Sequence, residues 1–370
     1  AQGSQSVGVI KPSLCPGNRR WVQLMFDSFL LQQGATSMLD ARDAMLAADR
    51  MRFGGKDVKV MWDAFARRGM GQGASVPNAD SGDTDPSFAS PVSKNGTVTF
   101  RSNRSGKFYV GHYEARVTPV ADTSAAGKLK NRARFVPGRY EMLYVSRTGG
   151  FKRFTMTVKP GAQQVTVRAP QNLAATKSGA RLLGASEGSL NAVTLLDGTE
   201  RTAWGGVTAA NVDESRPFVA VDLAGGVHTV RRVQVSAMLN PAPPDPNEIP
   251  LASDPDPDSG SRFTALRQFA LEACVRSCGS AKAVWKRFYT SPANAFPAVR
   301  PRPVAPNLTL RAFKVPATKA AAIRFVVLEN QCTGFAGYAG EQDDDPVNDT
   351  DCKSASDRGT IVHAAELQVY

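Results

Sequence analysis

The chain has 370 residues, 42% hydrophobic and 21% charged, enough for two or three packed domains, which excludes a single small module. Its 45 Lys+Arg against 33 Asp+Glu give a formal charge of +12, and because many acids crowd into a few stretches, the remaining surface is more basic still and compatible with anionic partners. No run approaches the ~18 uninterrupted apolar residues of a membrane-spanning helix, and the first thirty residues, with Lys11, Arg19 and Arg20 among them, lack a signal-peptide layout. Histidine is the scarcest chemical resource: His112, His228 and His363 lie far apart, which argues against most His-dependent catalysis. No His-Glu-x-x-His or Walker sequence occurs.

Residues 21–68 form the one helical stretch. Trp21, Val22, Met25, Phe26, Phe29 and Leu30 recur on a broad apolar stripe that needs something to pack against. Ser37 offers an N-cap with Asp40 in the first turn, and Gly54-Gly55 supplies a left-handed stop. A third helix starts near Asp57, with Val58, Met61, Trp62 and Phe65 on one face and Gly69 as its stop. Such wide stripes need more surface than three short helices offer one another. The Gly-rich run Gly69-Met-Gly-Gln-Gly73 follows a helix rather than a strand, so it reads as a stop in a linker and not as a phosphate loop.

Between Gly71 and Pro91 the composition turns to Gly, Ser, Asp, Asn and Pro, marking a boundary. Short β-branched or aromatic runs follow, at 97–100, 108–110, 140–145, 154–158 and 165–168, punctuated by Pro137-Gly138, Gly149-Gly150 and Pro160-Gly161; they predict a small β-sandwich. From about Asn172 a third, strand-rich unit begins, with runs at 218–223, 230–235, 269–272, 323–328 and 367–370. A Pro/Asp-rich insertion at 240–261 interrupts it and cannot be a central strand.

Five cysteines occur. Cys274 and Cys278 can close a short loop, and Cys332 and Cys352 bracket a Gly- and Asp-rich segment that a staple would hold. Zinc is the alternative, but the second pair is too widely spaced for a knuckle. Cys15 is left over, as an interchain or free thiol. The acidic run Glu341-Gln-Asp-Asp-Asp345, with Asp349 and Asp351, reads as a calcium site or, more often, as a solvated loop. Four Asn-x-Ser/Thr sequons stand at Asn95, Asn103, Asn307 and Asn348. The basic residues do not stack on one helical face and Arg300-Pro-Arg-Pro303 is rigid, so no nucleic-acid partner is expected. No carboxylate pair for glycoside hydrolysis is distinguishable.

Two segments resemble known families. NRRWVQLMFDSFLLQQGATSMLDARDAMLAADRMRFGG, followed by MWDAFARRGMG, resembles the C-terminal end of the catalytic domain of fungalysin-type secreted zinc metallopeptidases. The resemblance implies that the zinc site lies upstream of these residues, so zinc belongs only to an N-terminal catalytic part and this chain has no catalytic residue and is inactive alone. The helices would form the back of the catalytic lobe. Asp197-Gly-Thr-Glu-Arg-Thr-Ala-Trp204, Phe218-Val-Ala-Val-Asp-Leu-Ala-Gly225 and the closing Ala365-Glu-Leu-Gln-Val-Tyr370 resemble a discoidin or coagulation-factor type C domain, a galactose-binding-like jelly roll. That likeness implies a structural calcium held by Asp197, Thr202 and Glu366; the plainer reading makes Asp197-Gly198 a turn, Thr202 a strand residue and Trp204 core. The binding loops cannot be aligned, so no ligand-binding residue is assigned.

The expected organisation is a helical end of a metallopeptidase lobe at 1–75, a linker at 76–91, a β-sandwich spacer at 92–170 and a discoidin-like jelly roll at 171–370, mainly β overall. The expected function is the non-catalytic C-terminal portion of a secreted zinc metalloendopeptidase. Its partners would be an upstream catalytic part, in the same polypeptide or a companion chain, and a glycan or cell-surface ligand. The alternative is a freestanding adhesion or assembly protein with a glycan-binding jelly roll.

Overall fold

The structure, a computed structural model, describes residues 16–115, 117–237, 263–298, 307–336, 352–354 and 357–370. Helices α1 (Pro16–Leu30), α2 (Met38–Phe53) and α3 (Val58–Arg67) come first. Strands β1 (Gly96–Ser102), β2 (Gly106–Val110), β3 (Ala121–Asp122), β4 (Arg132–Phe135), β5 (Gly138–Ser146), β6 (Phe151–Val158) and β7 (Gly161–Val167) follow. The remainder carries β8 (Arg181–Ala185), β9 (Trp204–Val207), the short α4 (Val212–Ser215), β10 (Phe218–Asp222), β11 (His228–Ser236), β12 (Leu266–Cys274) and β13 (Lys286–Thr290). It ends with β14 (Arg311–Ala320), β15 (Ala322–Asn330), the short α5 (Gln331–Gly334), β16 (Ile361–Ala364) and β17 (Glu366–Val369). The fold class is the expected one, mainly β with a helical N-terminal segment.

Two compact units divide the chain, and residues 92–170 are shared between them. One unit comprises Ala1–Arg101, Val120–Tyr140 and Thr155–Thr166; the other comprises Ser102–Pro119, Glu141–Phe154 and Val167–Tyr370.

In the first unit, α2 begins with a reciprocal cap. The Ser37 hydroxyl accepts from the Asp40 N–H and the Asp40 carboxylate accepts from the Ser37 N–H, which satisfies two otherwise orphaned donors. Gly54 ends the helix at φ 65°, donating its N–H to the Asp49 carbonyl. The apolar stripe of α1 behaves differently from its sequence expectation. Leu24 is the residue buried against Met45, Leu46, Ala48 and Met61, whereas Trp21, Val22, Phe26, Phe29 and Leu30 are 52–85% exposed. The α1–α2 seam is narrow, so only one edge of the wide stripe is covered.

Arg42 of α2 lies over the Trp62 ring at 5.0 Å and donates to the Met70 carbonyl at 3.1 Å, a desolvated stacking that favours arginine. Gly71 runs beside residues 87–89, its N–H bonded to the Ser87 carbonyl at 2.7 Å. A Cβ there would stand 2.4 Å from the Ala89 oxygen, so the backbone approach requires glycine. That accounts for the Gly-rich run as structure. Strands β4, β1 and β7 form a sheet in that order, β1 pairing antiparallel with β4. Val98, Phe100 and Phe135 point inward with no exposure, and the Phe135 ring packs edge-on to Phe100 and Tyr140.

In the second unit, β2 pairs with β5 from Gly106↔Ser146 to Val110↔Met142, and Phe108 packs 4.9 Å from Tyr144. The jelly roll sets a five-stranded sheet, β13-β12-β15-β10-β8, against a three-stranded sheet, β14-β11-β17. Alternate residues of each strand face inward. Phe269, Leu271, Ile323, Phe325, Val219 and Val221 from the first sheet and Val233, Val235, Leu367 and Val369 from the second belong to one buried cluster with Trp204.

Strand β14 contains Pro316, which removes a strand signal from the sequence. It is tolerated because β14 is the sheet's edge strand and its register with β11 shifts between Val230 and Arg232. Disulfides join Cys274 to Cys278 and Cys332 to Cys352, with Cα atoms 5.7 and 5.9 Å apart.

Candidate functional site

The three residues expected to hold calcium are brought together from two distant parts of the second unit. Asp197 follows the 3-10 turn Ala192–Leu196. Its carboxylate accepts from the Thr199 N–H at 3.0 Å and from the Thr202 hydroxyl at 2.6 Å. Gly198 adopts φ 76°, a left-handed conformation suited to glycine, and its N–H donates to Glu366 Oε2 at 3.1 Å. Glu366 opens β17 and has no exposure. The turn and the closing strand therefore meet through one backbone-to-carboxylate bond.

Burial dominates the electrostatics. It pushes the Asp197 carboxyl up to about 6, against hydrogen bonds from Thr202 and Thr199 that pull it down. It pushes Glu366 well above the usual carboxylate range, and the neighbouring Asp197 adds to that. Glu200, fully buried, is raised to about 7 by burial, with the Ser236 hydroxyl bond and the Arg153 charge opposing. Its Oε1 accepts from Ser236 while its Oε2 is buried without a hydrogen-bond partner. Glu114 sits beside it, accepting from the Glu200 N–H at 2.6 Å and from the Thr199 hydroxyl, and pairing with Arg201 at 3.4 Å. Arg153 reaches in to donate to the Thr309 carbonyl at 2.8 Å and the His112 carbonyl at 3.1 Å.

Crowded acids of raised pKa are groups whose ionisation a bound cation would favour. Asp197, Thr202 and Glu366 supply hard oxygens, the chemistry calcium takes, and the orphaned oxygen of Glu200 stands in the same acidic neighbourhood. Among the described residues no group of three or more His, Cys, Asp or Glu side chains is arranged to hold a metal.

Sequence reasoning missed Asn172, Glu114 and Glu200. Asn172 is fully buried and bridges the two ends of the unit. Its Oδ1 accepts from the N–H groups of Ala174 and Val369, both at 3.0 Å, and its Nδ2 donates to the Gly149 carbonyl at 3.2 Å. Only its place at the first residues of the third unit hinted at this. Glu200 lies inside the Asp197–Trp204 motif but reads there as a turn residue. Glu114 lies 83 residues upstream of Asp197 in sequence, with no local signal.

The other residues singled out in the sequence make structural contacts. Trp204 is fully buried with its ring 6.3 Å from Phe325. The His363 ring lies in the core, its Nδ1 2.8 Å from the Thr264 hydroxyl, and His228 Nε2 bonds the Ala224 carbonyl at 2.8 Å. The sequon amides of Asn95 and Asn103 are engaged in two-way bonds, Asn95 with the Ser90 backbone and Asn103 with that of Ala169. Cys15, Arg300-Pro-Arg-Pro303, the run 341–351 with Asn348, and the 240–261 insertion lie outside the described residues.

Comparison with known proteins finds likenesses in sequence and in structure. The family model described as fungalysin metallopeptidase (M36) matches residues 3–74. Extracellular metalloproteinase 4 of Arthroderma gypseum is 34% identical over 77 residues, 20% of this chain and 12% of that protein. Extracellular metalloproteinase mep of Aspergillus niger is 41% identical over 59 residues, 16% of this chain and 9% of that protein. The chain therefore covers about a tenth of the length of these relatives. Among solved structures, the CBM32-3 module of a family 31 glycoside hydrolase from Clostridium perfringens is 13% identical, covering 52% of this chain and 92% of that one with a TM-score of 0.32. A putative chitobiase fragment from Bacteroides thetaiotaomicron is 14% identical, covering 54% and 92% with a TM-score of 0.31. Residues 3–74 are thus similar to the fungalysin metallopeptidase family.

Proposed function

We propose that the chain is the non-catalytic C-terminal portion of a secreted zinc metalloendopeptidase, in which α1–α3 complete the back of the catalytic lobe and the jelly roll tethers the enzyme to a glycan or surface. One observation carries the first half: the segment that matches the fungalysin family, residues 3–74, is also the segment whose apolar side chains, Trp21, Phe26, Phe29 and Leu30, are exposed. An apolar patch of that kind marks a surface awaiting a partner. The names of the curated relatives support secretion, and zinc would belong to the upstream part that bears the family's His-Glu-x-x-His. The domain organisation proposed is the one read from sequence, a lobe segment, a linker, a spacer sandwich and a jelly roll.

Calcium would be held by Asp197, Thr202 and Glu366, where it would neutralise buried carboxylates and pin the closing strand β17 to the 197–202 turn. Glycan binding rests on the likeness to carbohydrate-binding modules, and its ligand class is open to test on a glycan array with the full chain.

Intact-mass and N-terminal analysis of the protein from its source tests the peptidase reading. An upstream polypeptide bearing His-Glu-x-x-His, bound to this chain and released by Phe26→Ser with Phe29→Ser, is the expected result. A self-associated chain with no such polypeptide, its association broken by the same substitutions, would establish the freestanding assembly protein instead.

A further inference from the structure

Residues 123–140 contain Lys128, Lys130, Arg132, Arg134 and Arg139 and no Asp or Glu. Four of these cations alternate strictly with Leu129, Asn131, Ala133 and Phe135. The period of two is that of a strand and not of a helix, and Arg132 and Arg134 lie in β4 while Lys128 and Lys130 stand in the loop before it. In β4 the burial follows the alternation: Arg132 and Arg134 are exposed and Phe135 is buried. On the neighbouring strand Arg132 pairs with Thr99 and Arg134 with Thr97. The intervening Val98 and Phe100 have no exposure, which places both threonines and the exposed Arg101 on the arginines' side of the sheet.

Lys128, Lys130 and Arg132 also line an open depression of ≈540 Å³ with Thr123, Ser124 and Asn131. Its one acid, Asp122, is turned inward: 8% exposed, it accepts from the Ser124 N–H at 2.7 Å. Among the described residues none of Arg101, Lys128, Lys130, Arg132 and Arg134 forms an ion pair. Elsewhere Arg181, Arg201, Arg287, Arg324 and Lys353 each have a carboxylate partner. The outer face of β4–β1 is therefore a local concentration of uncompensated positive charge.

We propose that this face, from the 122–131 loop across β4 and β1, binds a linear acidic polysaccharide. Arg132 and Arg134, on alternate residues of β4, stand about 6.7 Å apart, and with Lys128 and Lys130 of the preceding loop they suit a polymer that carries carboxylate or sulfate groups at intervals. Thr97 and Thr99 add hydroxyls between the cations, as a sugar-bearing ligand requires. The aromatic residues of these two strands, Phe100 and Phe135, are buried and cannot stack bases, as single-stranded nucleic acid needs. The element presented is a flat sheet face rather than a helix that would enter a major groove. A membrane would need several apolar anchors beside the cations, and among the residues lining the depression Leu129 is the one large apolar side chain. The proposal is independent of any ligand of the jelly roll, because every residue in it belongs to the first unit.

The test uses the full chain titrated with polygalacturonate, dextran sulfate, neutral dextran and a DNA oligonucleotide at several salt concentrations. Binding to both acidic polysaccharides that weakens as salt rises, with none to neutral dextran, is expected. Replacing Lys128, Lys130, Arg132 and Arg134 together by Gln should cost at least tenfold in affinity with an unchanged unfolding midpoint. A control of equal charge, Lys94→Gln, Lys159→Gln, Lys282→Gln and Lys286→Gln, should cost less than threefold. Arg132→Lys with Arg134→Lys should retain binding, a check that survives if the fourfold variant folds poorly. Equal losses in variant and control, binding of neutral dextran, or tighter binding of DNA than of both acidic polysaccharides would overturn the proposal.

Discussion

The helical segment and the jelly roll use similar apolar side chains and bury them to opposite degrees. In α1–α3 the buried cluster is Leu24, Met45, Leu46, Ala48 and Met61, while phenylalanines and a tryptophan of α1 stay exposed. In the jelly roll Phe269, Phe325 and Trp204 are fully covered by two facing sheets. A sheet with a second sheet over it encloses its own inward side chains; three short helices enclose only the seam between them. The jelly roll is thus complete as a hydrophobic object, and the helical segment is not.

The largest effect should come from breaking that contrast in the core. Phe269→Ala should cost about 3–5 kcal/mol in urea unfolding of the jelly roll, whereas Phe29→Ala, at a position 57% exposed, should stay within about 0.5 kcal/mol. A comparable loss at Phe29 would mean that α1 is already covered. Removing Cys332 and Cys352 should cost about 3 kcal/mol and removing Cys274 and Cys278 about 2, because the first pair closes the longer loop; equal midpoints for the two variants would contradict this. Calcium at a hundredfold excess over its Kd should add about 2.7 kcal/mol to jelly-roll stability. Glu366→Gln should remove that response and leave the unfolding of α1–α3 unchanged.

Smaller effects sharpen the helical side. Ser37→Ala should cost about 1 kcal/mol and speed amide exchange in the first turn of α2 without touching the β-core. The Ser37 hydroxyl and then its backbone N–H hold the Asp40 carboxyl below its ordinary value. Its contribution is therefore present above the unfolded-state value of 3.8 and is lost as pH falls through the lower folded value. Far-UV helical signal should decline in that acid range in the wild-type chain, and less so in Asp40→Asn.

Much of the fold is legible in local sequence. The cap at Ser37, the stop at Gly54 and the runs at 218–223 and 323–328 appear where residue pattern places them, since capping and alternation act over a few positions. Asp197, Thr202 and Glu366 were legible through a motif, and the structure brings the first two within hydrogen-bond distance and joins the third through Gly198. Strand β14 was hidden by Pro316, whose tolerance depends on the strand being an edge. Glu114 and Asn172 were hidden because their partners lie far along the chain and no short-range pattern records such meetings.

What the sequence by itself determined is therefore local: the cap and stop of α2, strand runs and turn glycines, all governed by backbone propensity and side-chain periodicity. Only the tertiary structure decided which apolar side chains are enclosed and which are left outward. It alone placed Glu366 beside the 197–202 turn, and it alone turned Arg132 and Arg134 onto one face with Thr97 and Thr99. Burial and cross-strand neighbours come from long-range pairing of segments, and the free energy of that pairing belongs to the assembled layers rather than to any residue's immediate neighbours.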